Sequence, residues 1–493
     1  MIAVCGPNPP RDGAFLPLTV IMESGGGSRY GRAMTDPALA RAHEHALAWL
    51  DGLSGRRIPA TAAVEEVAAA LGGPLPVGPT DPAAVVDRLV AAATPGLAAL
   101  DSGRFFGFVI GGALPAARAA DWLALAWDQN AGLATVTPAA TAAEQVASGW
   151  LLDLLGLPAT ASVGFVTGGS MANTTCLLAA RHAVLERAGW DVEQRGLQGA
   201  PRVRVIVPEE RHATVDVSLR YIGLGVGTAR RVACDDQGRM LLDELDAALA
   251  EAGGDPCIVT AQAGNVNTGC FDALGQVVER AHRAGAWVHV DGAFGLWAAA
   301  SPRFAHLVDG HAGADSWATD AHKWLNVPYD SGLAIVADPV AHRAALGVTA
   351  AYLIKVDGPT DPMDLVPEFS RRARGFAVWA ALRSLGRSGV IDLVERLCDR
   401  ADRFAAGMRD TPGAEVLNEV VLNQVLTRFD GSDAVTRAVV DGVLADGTVY
   451  LSPTVFRGQT GVRCSVSNWA TTDADVDAAV AAVRRALTTS RSQ

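Results

Sequence analysis

The chain has 493 residues, 49% of them hydrophobic and 19% charged, enough apolar material for a sizeable core divided among more than one domain. A net charge of −12 argues against nucleic acid and anionic membrane surfaces as partners, and no apolar run is long enough to span a bilayer. Seven cysteines, an odd number with no C-x-x-C spacing, suit reduced cytoplasmic thiols better than a disulfide framework or a zinc site, and no histidine pair combines ligand spacing with supporting acids, so no metal is expected.

Residues 1–36 contain Pro9-Pro10 and Gly25-Gly26-Gly27, with Arg11 and Asp12 breaking any apolar run; a flexible leader is expected, not a secretory signal. Residues 37–115 read as helical, with Leu39, His43, Ala46, Leu47 and Leu50 on one face and a proline-rich interruption between Gly72 and Pro82. Across 116–385, helices alternate with short apolar runs at Val163–Val166, Val203–Val207, Arg230–Ala233, Cys257–Gln262, Trp287–Val290, Ser316–Thr319 and Leu333–Val336. That alternation predicts an α/β domain, a mostly parallel seven-stranded sheet wrapped by helices. Residues 386–493, with a long helix, a run Val420–Thr427 and a closing helix after Asp473, read as a small α+β domain.

Four motifs carry chemistry, each at the end of an expected strand. Thr167-Gly168-Gly169-Ser170 opens a helix. Glycines let backbone amides approach an anion, the Ser170 hydroxyl adds a donor and the helix N-terminus adds partial positive charge, which together make a phosphate cup; Gly-Gly-Ser is also ordinary turn chemistry. His212, just past the second strand, can stack on a flat heteroaromatic ring and help place a substrate carboxylate. Asp291 closes a buried strand, where a carboxylate is costly unless a cation pairs with it; the protonated ring nitrogen of pyridoxal phosphate is such a cation, and capping of a following helix is the competing role. Lys323 follows His322 on a turn leaving the sixth strand, where partial desolvation lets an amine form a Schiff base with an aldehyde cofactor. By contrast Gly223-Leu-Gly225-Val-Gly227 follows a helical segment rather than a strand, unlike a dinucleotide-binding loop.

Taken in order, these motifs resemble the pyridoxal-phosphate-dependent group II amino-acid decarboxylases, which include the aromatic-amino-acid, glutamate and histidine decarboxylases. The resemblance runs from about Arg104 to the end and also takes in Thr137 to Glu144, Gly264-Asn265-Val266-Asn267-Thr268, Phe271-Asp272, His289-Val290-Asp291-Gly292-Ala293, Arg371-Arg372-Ala373-Arg374 and Val462 to Asn468. It implies an aspartate-aminotransferase-like fold (fold type I) and a homodimer clasped by the N-terminal helical segment. It also implies Lys323 as the Schiff-base lysine, Asp291 on the ring nitrogen, His212 stacked on the ring, Ala293 beneath it, Gly169 and Ser170 on the phosphate with His322 nearby, and Asn265 and Asn267 among the cofactor-binding residues. The implied reaction converts an L-amino acid to its amine and carbon dioxide; carbon-carbon cleavage, oxidative deamination and transamination are alternatives on the same cofactor.

Phe105, Phe106, Phe108 and Val109 lie where the substrate wall of the family begins, and their apolar character favours an aromatic or aliphatic substrate over glutamate, unless they are simply core. The stretch Ile354–Arg374 contains no tyrosine, although many relatives use a loop tyrosine as the proton donor after decarboxylation. Protonation is therefore expected from another group such as His212, Tyr329, Tyr352 or water, with a raised share of aldehyde or transamination side product or a main reaction other than simple decarboxylation.

Overall fold

The computed structural model describes residues 36–348 and 360–492. The leader up to Thr35, and Tyr352 with the first part of the loop that follows, lie outside the described residues. Among the described residues no helix is long and apolar enough to cross a membrane.

Helices α1 (Pro37–Asp51), α2 (Val64–Leu71) and α3 (Pro82–Ala93) form the N-terminal segment. Proline opens α1 and α3, and Asp36 and Asp81 cap them by accepting from first-turn amides. Neither α1 nor α2 has a buried residue, and Leu39 and Leu47 face outward. An amphipathic helix with its apolar side uncovered lacks the packing that normally stabilises it.

Helices α4 (Pro115–Trp127) and α5 (Pro138–Leu154) lead into the main sheet, whose strands are β1 (Ser162–Val166), β2 (Arg204–Pro208), β3 (Arg230–Val232), β4 (Cys257–Gln262), β5 (Trp287–Asp291), β6 (Ser316–Asp320) and β7 (Gly332–Val336). The order is β1-β7-β6-β5-β4-β2-β3, with β7 antiparallel to both neighbours and all other pairs parallel. The strands read as continuous apolar runs because both faces are covered: Val205, Val207 and Ile258 pack on one side with helix α6 (Gly169–Arg187), while Ile206, Val259, Val288 and Val290 pack on the other. Each fully buried side chain of this kind contributes about 1.5–3 kcal/mol.

Strand β5 closes at the buried carboxylate Asp291, as its motif implies, while β2 and β6 each run one residue past their expected ends, to Pro208 and to the buried carboxylate Asp320, which a hydrophobic pattern does not include. A long helix, Gly375–Arg409, departs from helical geometry at Gly386 (φ 60°, ψ 179°). It leads to β8 (Ala414–Val416), β9 (Gln424–Phe429), β10 (Ser452–Phe456) and β11 (Gln459–Ser465), an antiparallel sheet in the order β10-β11-β9-β8 backed by helices Asp433–Asp446 and Asp473–Arg491. The expected run Val420–Thr427 starts too early, since the strand begins at Gln424.

Arg371 ties the two ends of the large domain together. Its buried guanidinium pairs with Glu144 of α5 at 2.8 Å and donates to the carbonyl of Phe165 in β1 at 2.7 Å. A buried cation shared between a carboxylate and a strand carbonyl fixes geometry, and here it fixes the strand that leads into Gly168-Gly169.

Candidate active site

Strands β1, β2, β5 and β6 all deliver a polar residue at their C-terminal ends, the edge where open α/β sheets bind ligands. β6 ends at Asp320, and the next three residues turn back over it. Lys323 Nζ lies 2.9 Å from Asp320 Oδ2, and His322 Nε2 lies 3.5 Å from Oδ1. His322 is held from its other side, Nδ1 accepting from the Ser331 amide at 3.2 Å, and Tyr329 stacks on its ring at 4.3 Å. Burial lowers the His322 pKa, against the opposing pull of Asp320, so the ring is neutral at physiological pH.

The lysine turn is anchored by Asn326, whose left-handed φ of 52° an asparagine tolerates. Its amide nitrogen donates to the carbonyls of Lys323 and Ser467, each at 3.1 Å, and its oxygen accepts from the amides of Gly112 and Trp469 at 2.7 and 2.9 Å. One buried side chain thus joins the lysine turn, the N-terminal segment and the C-terminal domain.

Asp291 sits at the centre of the sheet, buried, accepting from Asn173 Nδ2 at 3.1 Å and from the Ala293 amide at 3.3 Å. The segment after it is a short 3-10 turn, Gly295–Ala300, without a side-chain cap, so Asp291 does not cap a helix. His212 is the N-cap of helix Ala213–Tyr221, its Nδ1 accepting from the Thr214 amide at 3.2 Å. Burial depresses its pKa; Asp291 pulls upward, and the charges of Lys323 and Arg463 push it further down. His212, Asp291, Ala293 and Lys323 line one small cavity together with Gln262 and Val266.

The N-cap of α6 is Gly168, which has no side chain to satisfy the first-turn amides. A Cβ at Gly168 would lie 3.0 Å from His322 Cε1, and one at Gly169 would lie 2.8 Å from Asp320 Oδ2. The uncapped helix end therefore abuts the His322-Lys323 turn, and only glycine fits there without displacing it.

Other expected site residues are placed elsewhere. The Asn265 side chain donates to the Glu210 carbonyl at 2.9 Å and accepts from the Asn267 backbone amide at 2.9 Å, and Asn267 Oδ1 accepts from Thr454 Oγ1 at 2.7 Å; both shape the 264–268 loop rather than line the cavity. Val109 is core, whereas Phe108 is 56% exposed and leans on Tyr450, and neither lines the cavity of its own chain. Both have left-handed backbones, φ 54° and 58°, conformations that cost a non-glycine residue about 1–3 kcal/mol and cluster at functional sites.

The structure adds residues that motif reading missed. Gln262 lines the cavity, and among the described residues its buried Nε2 has no hydrogen-bond partner. Arg463 is buried and donates to the carbonyl of the cavity residue Val266 at 3.0 Å; among the described residues its Nε has no partner, and burial pushes its guanidinium down to about 10. Asn173 and His289 stand behind Asp291. Each lies in a stretch noted for other reasons, and only adjacency in the sheet reveals its direction.

These donors fit pyridoxal phosphate: an uncapped helix end for an anion, an amine for an aldehyde carbon, a buried carboxylate for a ring cation, and the unpaired Gln262 amide for a polar substituent. The model for the pyridoxal-dependent decarboxylase conserved domain matches residues 81–429. The chain is 28% identical over 416 residues to tryptophan decarboxylase 1 of Oryza sativa subsp. japonica, covering 77% of this chain and 79% of that protein. It is 27% identical over 340 residues to an aromatic-L-amino-acid decarboxylase of Bacillus atrophaeus, covering 66% and 68%. The crystal structure of Oryza sativa TDC with PLP and tryptamine superposes with a TM-score of 0.87 at 23% identity, covering 94% of this chain and 99% of that one. With the family's domain matched over most of its length, the chain belongs to the pyridoxal-dependent decarboxylases, amino-acid carboxy-lyases that work through pyridoxal phosphate.

Proposed function

We propose that the protein decarboxylates an aromatic or apolar L-amino acid, with Lys323, Asp291 and His212 as its catalytic residues. The convergence of these three side chains on one cavity carries the reading. Pyridoxal phosphate, when bound, supplies the electron sink for the pair left on the α-carbon as carbon dioxide departs. Lys323 would hold the cofactor through its aldehyde carbon, Asp291 would pair with a proton on the ring nitrogen, and His212 would stack on the ring. Gly169 and Ser170, at the uncapped end of α6, would take the phosphate with His322 nearby, and Ala293 would pack against the ring.

The substrate preference rests on apolar surface. Phe108 is exposed and does not line the cavity of its own chain, so we place it against the substrate of a second copy, and the exposed apolar residues of α1 and α4 support a homodimer built across that side. Leu39, Leu47, Trp122 and Trp127 belong to those faces. The six described cysteines are buried and unpaired, which supports a reducing, cytoplasmic setting.

Arg463 favours a second reading, in which the substrate is acidic. The preference for an apolar substrate assumes that no buried cation waits for a second carboxylate, yet Arg463 is buried beside the cavity residue Val266 with an Nε that has no partner among the described residues. A panel of aromatic, aliphatic and acidic amino acids, with amine and carbon dioxide both quantified, separates the two. Arg463→Met then assigns the guanidinium: loss on every substrate means it meets the α-carboxylate, and loss on acidic substrates alone means it meets the side chain. No amine from any aromatic or apolar amino acid would overturn the preferred reading.

A further inference from the structure

We propose that Asn173 is a positioning residue that sets both Asp291 and His212, at the end of a one-way chain of hydrogen bonds through the sheet. It sits in the first turns of α6, wholly buried. Its amide nitrogen has two hydrogens, and the two acceptors in reach are Asp291 Oδ2 at 3.1 Å and Thr214 Oγ1 at 3.2 Å. Its oxygen meets His289 Nε2 at 2.8 Å. Behind His289, Nδ1 meets Ser316 Oγ at 3.0 Å, and Ser316 Oγ accepts from Trp287 Nε1 at 3.0 Å.

The direction of this chain is set at its Asp291 end. A carboxylate accepts, so the Asn173 nitrogen faces Asp291 and its oxygen faces His289 Nε2, which must then donate. A neutral His289 with its hydrogen on Nε2 accepts at Nδ1 from the Ser316 hydroxyl, whose oxygen also accepts from the Trp287 indole N–H. Full burial holds His289 neutral, its pKa lowered to about 4, so the tautomer persists through the working pH range.

Two consequences reach the cavity. Among the described residues Asp291 has no ion pair and is held by neutral N–H donors, which orient the carboxylate while leaving it able to take a cationic N–H. On the other branch, Thr214 Oγ1 lies 2.8 Å from His212 Nδ1, which also accepts from the Thr214 amide, so the neutral imidazole keeps its hydrogen on Nε2. The same amide therefore registers the partner of the ring nitrogen against the residue on the ring face. A shift of either would move both.

The proposal rests on Asp291 facing the ring nitrogen, so Asp291→Ala accompanies the test. Holoenzyme variants Asn173→Ala, His289→Leu, His289→Gln and Thr214→Val are compared for kcat, KM, cofactor dissociation constant and the pH profile of the bound cofactor's absorbance. Asn173→Ala and His289→Leu are expected to lower kcat and cofactor affinity by about 10–100-fold, the usual effect of losing a residue that orients a directly bound group, and to move the absorbance profile while KM changes far less. His289→Gln keeps a donor for Asn173 and recovers most of the loss. Thr214→Val, which keeps the Asp291 branch intact, is expected to lower kcat and cofactor affinity less than Asn173→Ala does. If Asp291→Ala is inactive while folded Asn173→Ala and His289→Leu keep the wild-type profile and kcat, the relay is wrong and the reading of Asp291 stands. Near-wild-type Asp291→Ala would remove that reading and the proposal with it. Equal losses in His289→Gln and His289→Leu, confined to melting temperature, would also overturn it; the histidine pair keeps the test decisive if Asn173→Ala fails to fold.

Discussion

Gln262 and Asp291 stand opposite each other on adjacent parallel strands; the Asp291 carboxylate accepts from Asn173 and Ala293, whereas among the described residues the buried Gln262 Nε2 has no hydrogen-bond partner. A buried donor left unmade costs about 1–3 kcal/mol, which a protein retains where a ligand supplies the acceptor. Gln262→Met is therefore expected to weaken cofactor binding by about tenfold, the worth of one such bond, with the fold intact by circular dichroism. Asp291→Ala should be harsher: with saturating cofactor, kcat falls by orders of magnitude. Near-normal turnover there would end the proposed role of Asp291.

The chain contains two lysines, Lys323 and Lys355, which makes the covalent assignment easy to test. Lys323→Ala is expected to abolish the visible absorbance of bound cofactor after dialysis, and Lys355→Ala to retain it. Borohydride reduction of the holoenzyme followed by peptide mass spectrometry should place the adduct at Lys323. The reverse pattern would take the catalytic amine away from the Asp320-His322 turn.

The parts of the fold legible in sequence are those with a local cause. β4 and β5 are apolar along most of their length because helices cover both faces, so their runs stand out; the charged last residue of β6 does not, because a buried carboxylate breaks the pattern that identifies a strand. Lys323, His212 and Asp291 can be found from short motifs at strand ends. Asn173, Gln262 and Arg463 cannot, since each acquires its role from a neighbour 29 or more positions away across the sheet or from the C-terminal domain. Asn265 and Asn267 show another limit: a motif names polar residues without their partners, and the hydrogen bonds from Asn265 to Glu210 and Asn267, and from Thr454 to Asn267, are visible only in the fold.

Acid should destabilise the protein through its buried histidines. His289 and His342 are both neutral in the folded state, with burial lowering each pKa to about 4 from an unfolded value near 6.5. Between these limits the unfolded chain binds more protons, so stability increases with pH across the window and falls as pH drops through it; above it neither residue contributes. The slope approaches about 1.4 kcal/mol per pH unit for each histidine. Melting temperatures from pH 7 to pH 4 should show this decline, and His342→Gln, which removes one titrating group beside Ser162, should flatten it. An unchanged slope would mean that carboxylates dominate.

Dimerisation predicts a particular kinetic defect. Phe108→Ala is expected to raise KM severalfold for aromatic substrates, since one aromatic contact is worth about 0.5–1.5 kcal/mol, while leaving cofactor absorbance unchanged. Mixing Phe108→Ala with inactive Lys323→Ala should regenerate wild-type KM in hybrid dimers, because one cavity then has both an intact lysine and an intact Phe108 from the other chain. Failure of hybrids to recover, or a fully active monomer by sedimentation, would refute a shared site.

Protonation of the α-carbon needs an acid, and two of the expected donors are poorly suited to it. His212 is neutral with its hydrogen on Nε2, and a neutral imidazole is a very weak acid. Tyr329 lies flat on His322, and its phenol is pushed up to about 12 by burial and by Asp320. Efficient general acids have a pKa nearer the working pH. That leaves Tyr352 or water, and Tyr352→Phe is expected to shift product from amine toward aldehyde under air, with the effect suppressed under argon. Tyr329→Phe should leave the ratio unchanged. If wild type already forms mostly aldehyde, in proportion to dissolved oxygen, no phenol is serving, and oxidative deamination is the main reaction. Clean amine from Tyr352→Phe in air would assign the proton to water.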